Sequence, residues 1–134
     1  NSAINCVDTT VSKDIEVYDA LYERLKREAP RLGASSAYLG LTCVYWPAPP
    51  ARSPAPIAAA GAPPIVVIGN TGDPATPLVW AESLADQLES GVLLTWVGEG
   101  HTVFAFDRSD CIDTAVVDYL VRLTVPRDGT ICTD

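Results

Sequence analysis

The 134-residue chain has no methionine, one histidine and four cysteines, with no Cys-x-x-Cys pair among them. A lone His101 and cysteines as scattered as Cys6, Cys43, Cys111 and Cys132 argue against a structural zinc site. No apolar run approaches the roughly 18 residues that a membrane span requires. Basic side chains are also few. Nine Lys and Arg stand against 17 Asp and Glu, and the formal charge of −8 would repel nucleic-acid phosphates. The first residues are polar, without the basic start and apolar stretch of a signal peptide, so secretion would require a leader already removed or lying outside these residues. No serine sits in a Gly-x-Ser-x-Gly sequence, and there is no internal repeat.

What is present is enough for a globular domain: 48% of residues are apolar, and the length suffices for a modest core. An even number of scattered cysteines fits two disulfides in an oxidising compartment. The alternative is four buried free thiols in a cytosolic protein.

The segment Ser2-Ala3-Ile4-Asn5-Cys6-Val7-Asp8 reads as extended. A helix is expected over 12–31, with Ile15, Tyr18, Tyr22, Leu25, Ala29 and Leu32 on one apolar face and Ser12 as its cap. That face suits either a core or a partner. Seven of the eleven prolines fall within 47–64, interleaved with alanine, so this stretch reads as an extended connection. The expected organisation is therefore a first segment at 1–46, the connection at 47–64 and a regular α/β segment at 65–134. In the last, the runs Pro64-Ile65-Val66-Val67-Ile68 and Val92-Leu93-Leu94-Thr95-Trp96 read as buried parallel strands. Between them lies a crossover helix, capped by Thr76 with Pro77 first, burying Leu78, Ala81, Leu84, Ala85 and Leu88. A last helix over 110–123 turns Ile112, Ala115, Val116, Tyr119, Leu120 and Leu123 inward, and 127–130 forms a turn. Trp80 and Trp96 fall on these elements and read as packing residues, while Trp46 would either line a cleft or brace the neighbouring cysteine, the second being the expectation.

Each strand is followed by a short polar motif: Gly72-Asp73-Pro74-Ala75-Thr76-Pro77 after the first, Gly98-Glu99-Gly100-His101-Thr102 after the second. Parallel strands joined by a crossover bring both motifs to one edge of the sheet, where ligands collect in open α/β folds. A carboxylate that holds one imidazole nitrogen leaves the other to act as a base toward a nucleophile. Asp73 is thus a candidate acid and His101 a candidate general base, with Gly98 and Gly100 allowing a tight loop. Each also has a plainer role: Asp73 as a turn residue capping backbone amides, His101 as a solvated loop residue.

Taken together, Ile68-Gly69-Asn70-Thr71-Gly72-Asp73-Pro74-Ala75-Thr76-Pro77, Trp80-Ala81, Gly98-Glu99-Gly100-His101-Thr102, Cys111 and Gly129-Thr130-Ile131-Cys132 resemble the C-terminal region of secreted actinobacterial serine peptidases related to tripeptidyl aminopeptidase. Ala3-Ile4-Asn5-Cys6-Val7-Asp8 and Cys43-Val44-Tyr45-Trp46-Pro47 resemble the segment leading out of that family's helical lid. The resemblance implies an α/β architecture: the C-terminal part of an α/β-hydrolase fold, with short parallel strands, a crossover helix and an N-terminal helical segment derived from the lid. It further implies Asp73 as triad acid and His101 as general base. The expected chemistry is acyl transfer to a serine, without metal or cofactor, on a peptide or ester substrate. Location is expected to be secreted or in the cell envelope.

One departure is Val103-Phe104-Ala105-Phe106, bulkier than the family's usual continuation after the histidine, which would reshape the wall of the site. The larger departure is the nucleophile. None of Ser2, Ser12, Ser35, Ser36, Ser53, Ser83, Ser90 and Ser109 lies on a strand-turn-helix elbow, so the isolated chain is expected to be inactive and to work with the N-terminal part of the same hydrolase. Exposed strand edges of such a piece would favour dimerisation. The rival expectation is a non-catalytic, partner-binding module derived from the fold. Cys6 and Cys43 bracket the first helix and Cys111 and Cys132 the last. These are the expected pairs, each worth roughly 3 kcal/mol in the chain-entropy model.

Overall fold

The computed structural model describes residues 1–51 and 55–134, which form two units, 1–55 and 56–134. Ser53 and its neighbours Arg52 and Pro54 lie outside the described residues.

The first unit is helical: α1 (Ser2–Asp8), α2 (Ile15–Glu28), α3 (Gly33–Ser36) and α4 (Leu41–Val44). The extended reading of 2–8 is therefore overturned. A disulfide between Cys6 and Cys43 joins α1 to α4 and buries Cys6. A two-turn helix gains little from its own hydrogen bonds, so tertiary anchoring of this kind decides its conformation. In α2 the cap is Asp14, whose Oδ1 accepts from the Glu16 amide at 3.0 Å, while Ser12 Oγ accepts from the Asp14 amide one step earlier at 3.2 Å. The α2 apolar face is covered only at its centre. Tyr18 is buried, donating its hydroxyl to the Ser12 carbonyl at 2.8 Å, and Tyr22 and Leu25 are half-buried. Ile15, Ala29 and Leu32 are exposed. Trp46 is half-buried and lines a hollow together with Cys6 and Cys43, beside the bridge it was expected to brace. The described residues of 47–64 form neither helix nor strand.

The second unit is an α/β layer structure. β1 (Ile65–Gly72) pairs in parallel with β2 (Gly91–Glu99), and β2 pairs in parallel with β3 (Thr130–Cys132), giving the order β1-β2-β3. β3 is absent from the sequence reading, which made 127–130 a turn. The turn is present, closed by the Thr130 amide to the Arg127 carbonyl at 3.3 Å with Gly129 at φ 71°, and it delivers the chain into β3. Both main strands run further than their apolar cores, because the polar motifs continue the ladder to Gly72↔Glu99.

Register sorts the strand residues into two faces. Val66, Ile68 and Asn70 pair with Val92, Leu94 and Trp96. Leu94 and Trp96 join Val103 and Cys132, together with Ile112 and Val116 of α6 (Asp110–Arg122), in the core, and Val66 and Ile68 pack against it. The opposite face receives α5 (Leu78–Gln87). There Gly69 is the point of closest approach: a Cβ on it would lie 2.5 Å from Leu78 Cδ1 and 2.9 Å from Ala81 Cβ. The Leu78 tip can turn away but Ala81 cannot, so Gly69→Ala is expected to cost about 1–3 kcal/mol by overpacking, read as a lowered urea midpoint.

Several inward assignments need correction. Leu84 and Trp80 of α5 are 40% and 61% exposed, and Leu120 and Leu123 at the end of α6 are 62% and 79% exposed. Leu123 is not a helix residue but a left-handed cap at φ 56°. The cap of α5 is Pro77 rather than Thr76, and it makes no side-chain cap bond. Tyr119 is tethered through its hydroxyl, which donates to the Pro64 carbonyl at the entry to β1. The disulfide Cys111–Cys132 ties the first turn of α6 to the end of β3.

Candidate active site

The pairing Gly72↔Glu99 sets the C-terminal ends of β1 and β2 side by side, and the next residues of each are Asp73 and, after Gly100, His101. His101 Nδ1 lies 3.0 Å from Asp73 Oδ2 and 3.1 Å from Oδ1. An ionised carboxylate only accepts, so Nδ1 carries the proton and Nε2 is the acceptor of the neutral ring. Among the described residues nothing is hydrogen-bonded to Nε2. The acid's side chain is 4% exposed and the histidine's 52%, so the pair runs from the protein interior outward.

Asp73 also performs its plainer role. Its Oδ1 accepts from the amides of Ala75 at 2.8 Å and Thr76 at 2.9 Å, and its Oδ2 from the Thr76 hydroxyl at 2.8 Å. Burial of the carboxylate opposes ionisation. The two amides, the Thr76 hydroxyl and His101 outweigh it and hold Asp73 well below the usual carboxylate range. The Thr76 hydroxyl spends its proton on Asp73 and places its oxygen 3.3 Å from His101 Nδ1, so it touches both members of the pair.

The histidine loop is anchored from β1. The Gly100 amide donates to the Gly72 carbonyl at 3.0 Å, and buried Asn70 donates through Nδ2 to the Gly100 carbonyl at 3.1 Å. Gly100 has φ 113°, whereas Gly98 lies in β2 against the Trp96 indole. The bulky stretch after the histidine divides: Val103 is buried in the core and Phe104 packs against it, while Phe106 is exposed. A cavity of about 340 Å³ opens beside the acid, with Asn70, Asp73, Thr76 and Thr102 as polar lining and Ile68, Val103, Phe104 and Phe106 as apolar lining.

No described serine hydroxyl contacts His101. Ser109 is buried as the cap of α6 and donates to Asp134 Oδ1 at 2.6 Å, and Ser90 donates to the carbonyls of Ala62 and Pro63. Among the described residues no three His, Cys, Asp or Glu side chains converge as metal ligands, and no helix is long and apolar enough to cross a membrane. Asn70 and Arg108 have no role of their own in the sequence reading, and Thr76 has only that of cap to the crossover helix. Thr76 at three residues after Asp73 has the spacing of a side chain that folds back on a turn. For Asn70 and Arg108 the local sequence carries no such signal.

Comparison with known proteins yields a match to the family model described as TAP-like protein over residues 29–132. The serine protease Hip1 of Mycobacterium tuberculosis is 40% identical over 97% of this chain, which covers 25% of that protein. Carboxylesterase B of the same organism is 37% identical over 98% of the chain, again 25% of the relative. Tripeptidyl aminopeptidase of Streptomyces lividans is 26% identical over 96% of the chain and 24% of the relative. The chain thus spans about a quarter of the length of these relatives.

Proposed function

We propose that this chain, which belongs to the TAP-like family of α/β-hydrolases, supplies the acid and the general base of a serine hydrolase whose nucleophile lies elsewhere in the full-length protein. The observation that carries the reading is the 3.0 Å contact between His101 Nδ1 and the shielded carboxylate of Asp73. Asp73 fixes the tautomer and stabilises the imidazolium. Nε2 takes the proton of an incoming serine hydroxyl and returns it to the leaving group. The substrate class is a peptide or ester, in keeping with the names of the relatives, and the acyl group is carried on serine without metal or cofactor. Two disulfides support a secreted or envelope location. A partner-binding module has no need for Asp73 and His101 to meet, and the contact favours catalysis over it.

The test is labelling of the full-length protein with a fluorophosphonate probe, followed by mapping of the modified residue. A labelled serine outside these 134 residues, with labelling abolished by His101→Ala, is the expected result. Labelling of Ser83, Ser90 or Ser109, or labelling unchanged by His101→Ala, would overturn the reading. The isolated 134 residues are expected to show no turnover of p-nitrophenyl acetate that depends on His101.

A further inference from the structure

The loop that carries His101 follows a path that side chains resist. Beyond Gly100, three residues with a Cβ adopt left-handed backbone: Thr102 at φ 60°, Ala105 at φ 63° and Asp107 at φ 53°. Such conformations persist only where surrounding structure holds them. From β1 the hold is the pair of bonds to Gly100, and from α6 it is Asp113, whose Oδ1 accepts from the Ala105 amide at 2.9 Å.

The remaining hold falls on the histidine itself. Arg108 Nη1 donates to the His101 carbonyl at 3.2 Å and to the Thr102 carbonyl at 3.0 Å. The turn at Thr102 aims two successive carbonyls at one point, and a cationic donor satisfies both. Gly100 makes room for it, since a Cβ there would lie 2.5 Å from Nη1. Acidic neighbours are at hand in the sequence, Asp107 and Asp110, yet among the described residues no carboxylate pairs with this guanidinium. The guanidinium stands over Phe106, its carbon 5.8 Å from the ring centre.

We infer that Arg108 is a positioning residue of the hydrolase: by clamping the two carbonyls it fixes the backbone of His101 and thereby the aim of the imidazole between Asp73 and the reacting hydroxyl. The inference rests on the catalytic reading of Asp73 and His101. Misplacing a catalytic group by about 1 Å from a residue outside the chemistry costs up to about 100-fold in rate. Loss of the clamp should therefore lower kcat and leave substrate affinity nearly unchanged, because Arg108 acts through the loop.

The experiment is steady-state kinetics of the full-length protein on p-nitrophenyl acetate for Arg108→Ala, Arg108→Met and His101→Ala. Met keeps an unbranched stem and removes every side-chain donor. The expected result is a kcat lowered roughly 10- to 100-fold in both Arg108 variants with KM within about threefold of the parent. An unchanged kcat in either folded variant, or a raised KM with kcat intact, overturns the inference. If Ala fails to fold, Met is read by the same criteria. If neither folds, Arg108 is a folding residue and the inference is likewise overturned. A His101→Ala protein that retains full activity would instead sink the underlying catalytic reading.

Discussion

Asp73→Asn in the full-length protein is expected to lower kcat by about four orders of magnitude while changing KM little, measured on a small ester. The size follows from what the amide does to the ring. Asn is nearly the same shape, so the bonds from the Ala75 and Thr76 amides at 2.8 and 2.9 Å can survive at its oxygen. The amide group then turns its NH2 toward the position that now accepts from the Thr76 hydroxyl and contacts His101. A donor there favours the tautomer with the proton on Nε2, the nitrogen that must be empty to receive one from serine. The pH dependence has a determined sign as well. Asp73 is held below the ordinary carboxylate range, so it stays ionised as pH falls through about 4, where an unconstrained Asp titrates. A group with a depressed folded pKa contributes its full stability above its unfolded value, and loses it progressively as pH falls from there to the depressed one. An acid limb in the activity profile above pH 4 therefore belongs to a group other than Asp73. If Asp73→Asn keeps kcat within tenfold, Asp73 is a turn residue and not the acid.

The parts legible from sequence were those whose physics is local. The runs 65–68 and 92–96 are apolar and β-branched enough to be strands in any surroundings, and a crossover between them fixes which edge Asp73 and His101 share. The parts that escaped depend on distant partners. α1 is too short to announce itself by periodicity and is held through Cys6. β3 has three residues and exists because Gly91–Glu99 offers it an edge. Leu120 and Leu123 share the helical spacing of Ile112 and Val116, but the core takes up only the earlier part of α6 and leaves both exposed. At the site, two carboxylate- and imidazole-bearing positions could be named from their place after strands. Asn70 and Arg108 act through hydrogen bonds set by the path of the histidine loop, and no spacing rule encodes that path.

Leu94→Ala is expected to cost about 3–4 kcal/mol when these 134 residues are unfolded in urea. Leu94 is fully buried at the centre of β2, paired with Ile68 and with Thr130, and it packs in the cluster with Ile112, Val116 and Cys132. Strands on both sides and the Cys111–Cys132 bridge limit how far the walls can collapse into the space left behind, which keeps the cost off the low end of the range for such truncations. Emission of Trp96 reports this core: the indole is buried in the same cluster, and its Nε1 donates to the Asp134 carbonyl at 3.1 Å. Replacing Trp46 and Trp80 by Phe isolates the signal. With a slope of about 1–3 kcal/mol per molar urea, the midpoint should fall by more than about 1 M. Leu123→Ala, 79% exposed, should stay within about 0.5 kcal/mol of the parent chain. In the full-length protein the same Leu123 substitution separates two states of that surface. A cost that rises well above 0.5 kcal/mol there would mean the remainder of the hydrolase covers the end of α6, and an unchanged cost would mean it stays open to solvent.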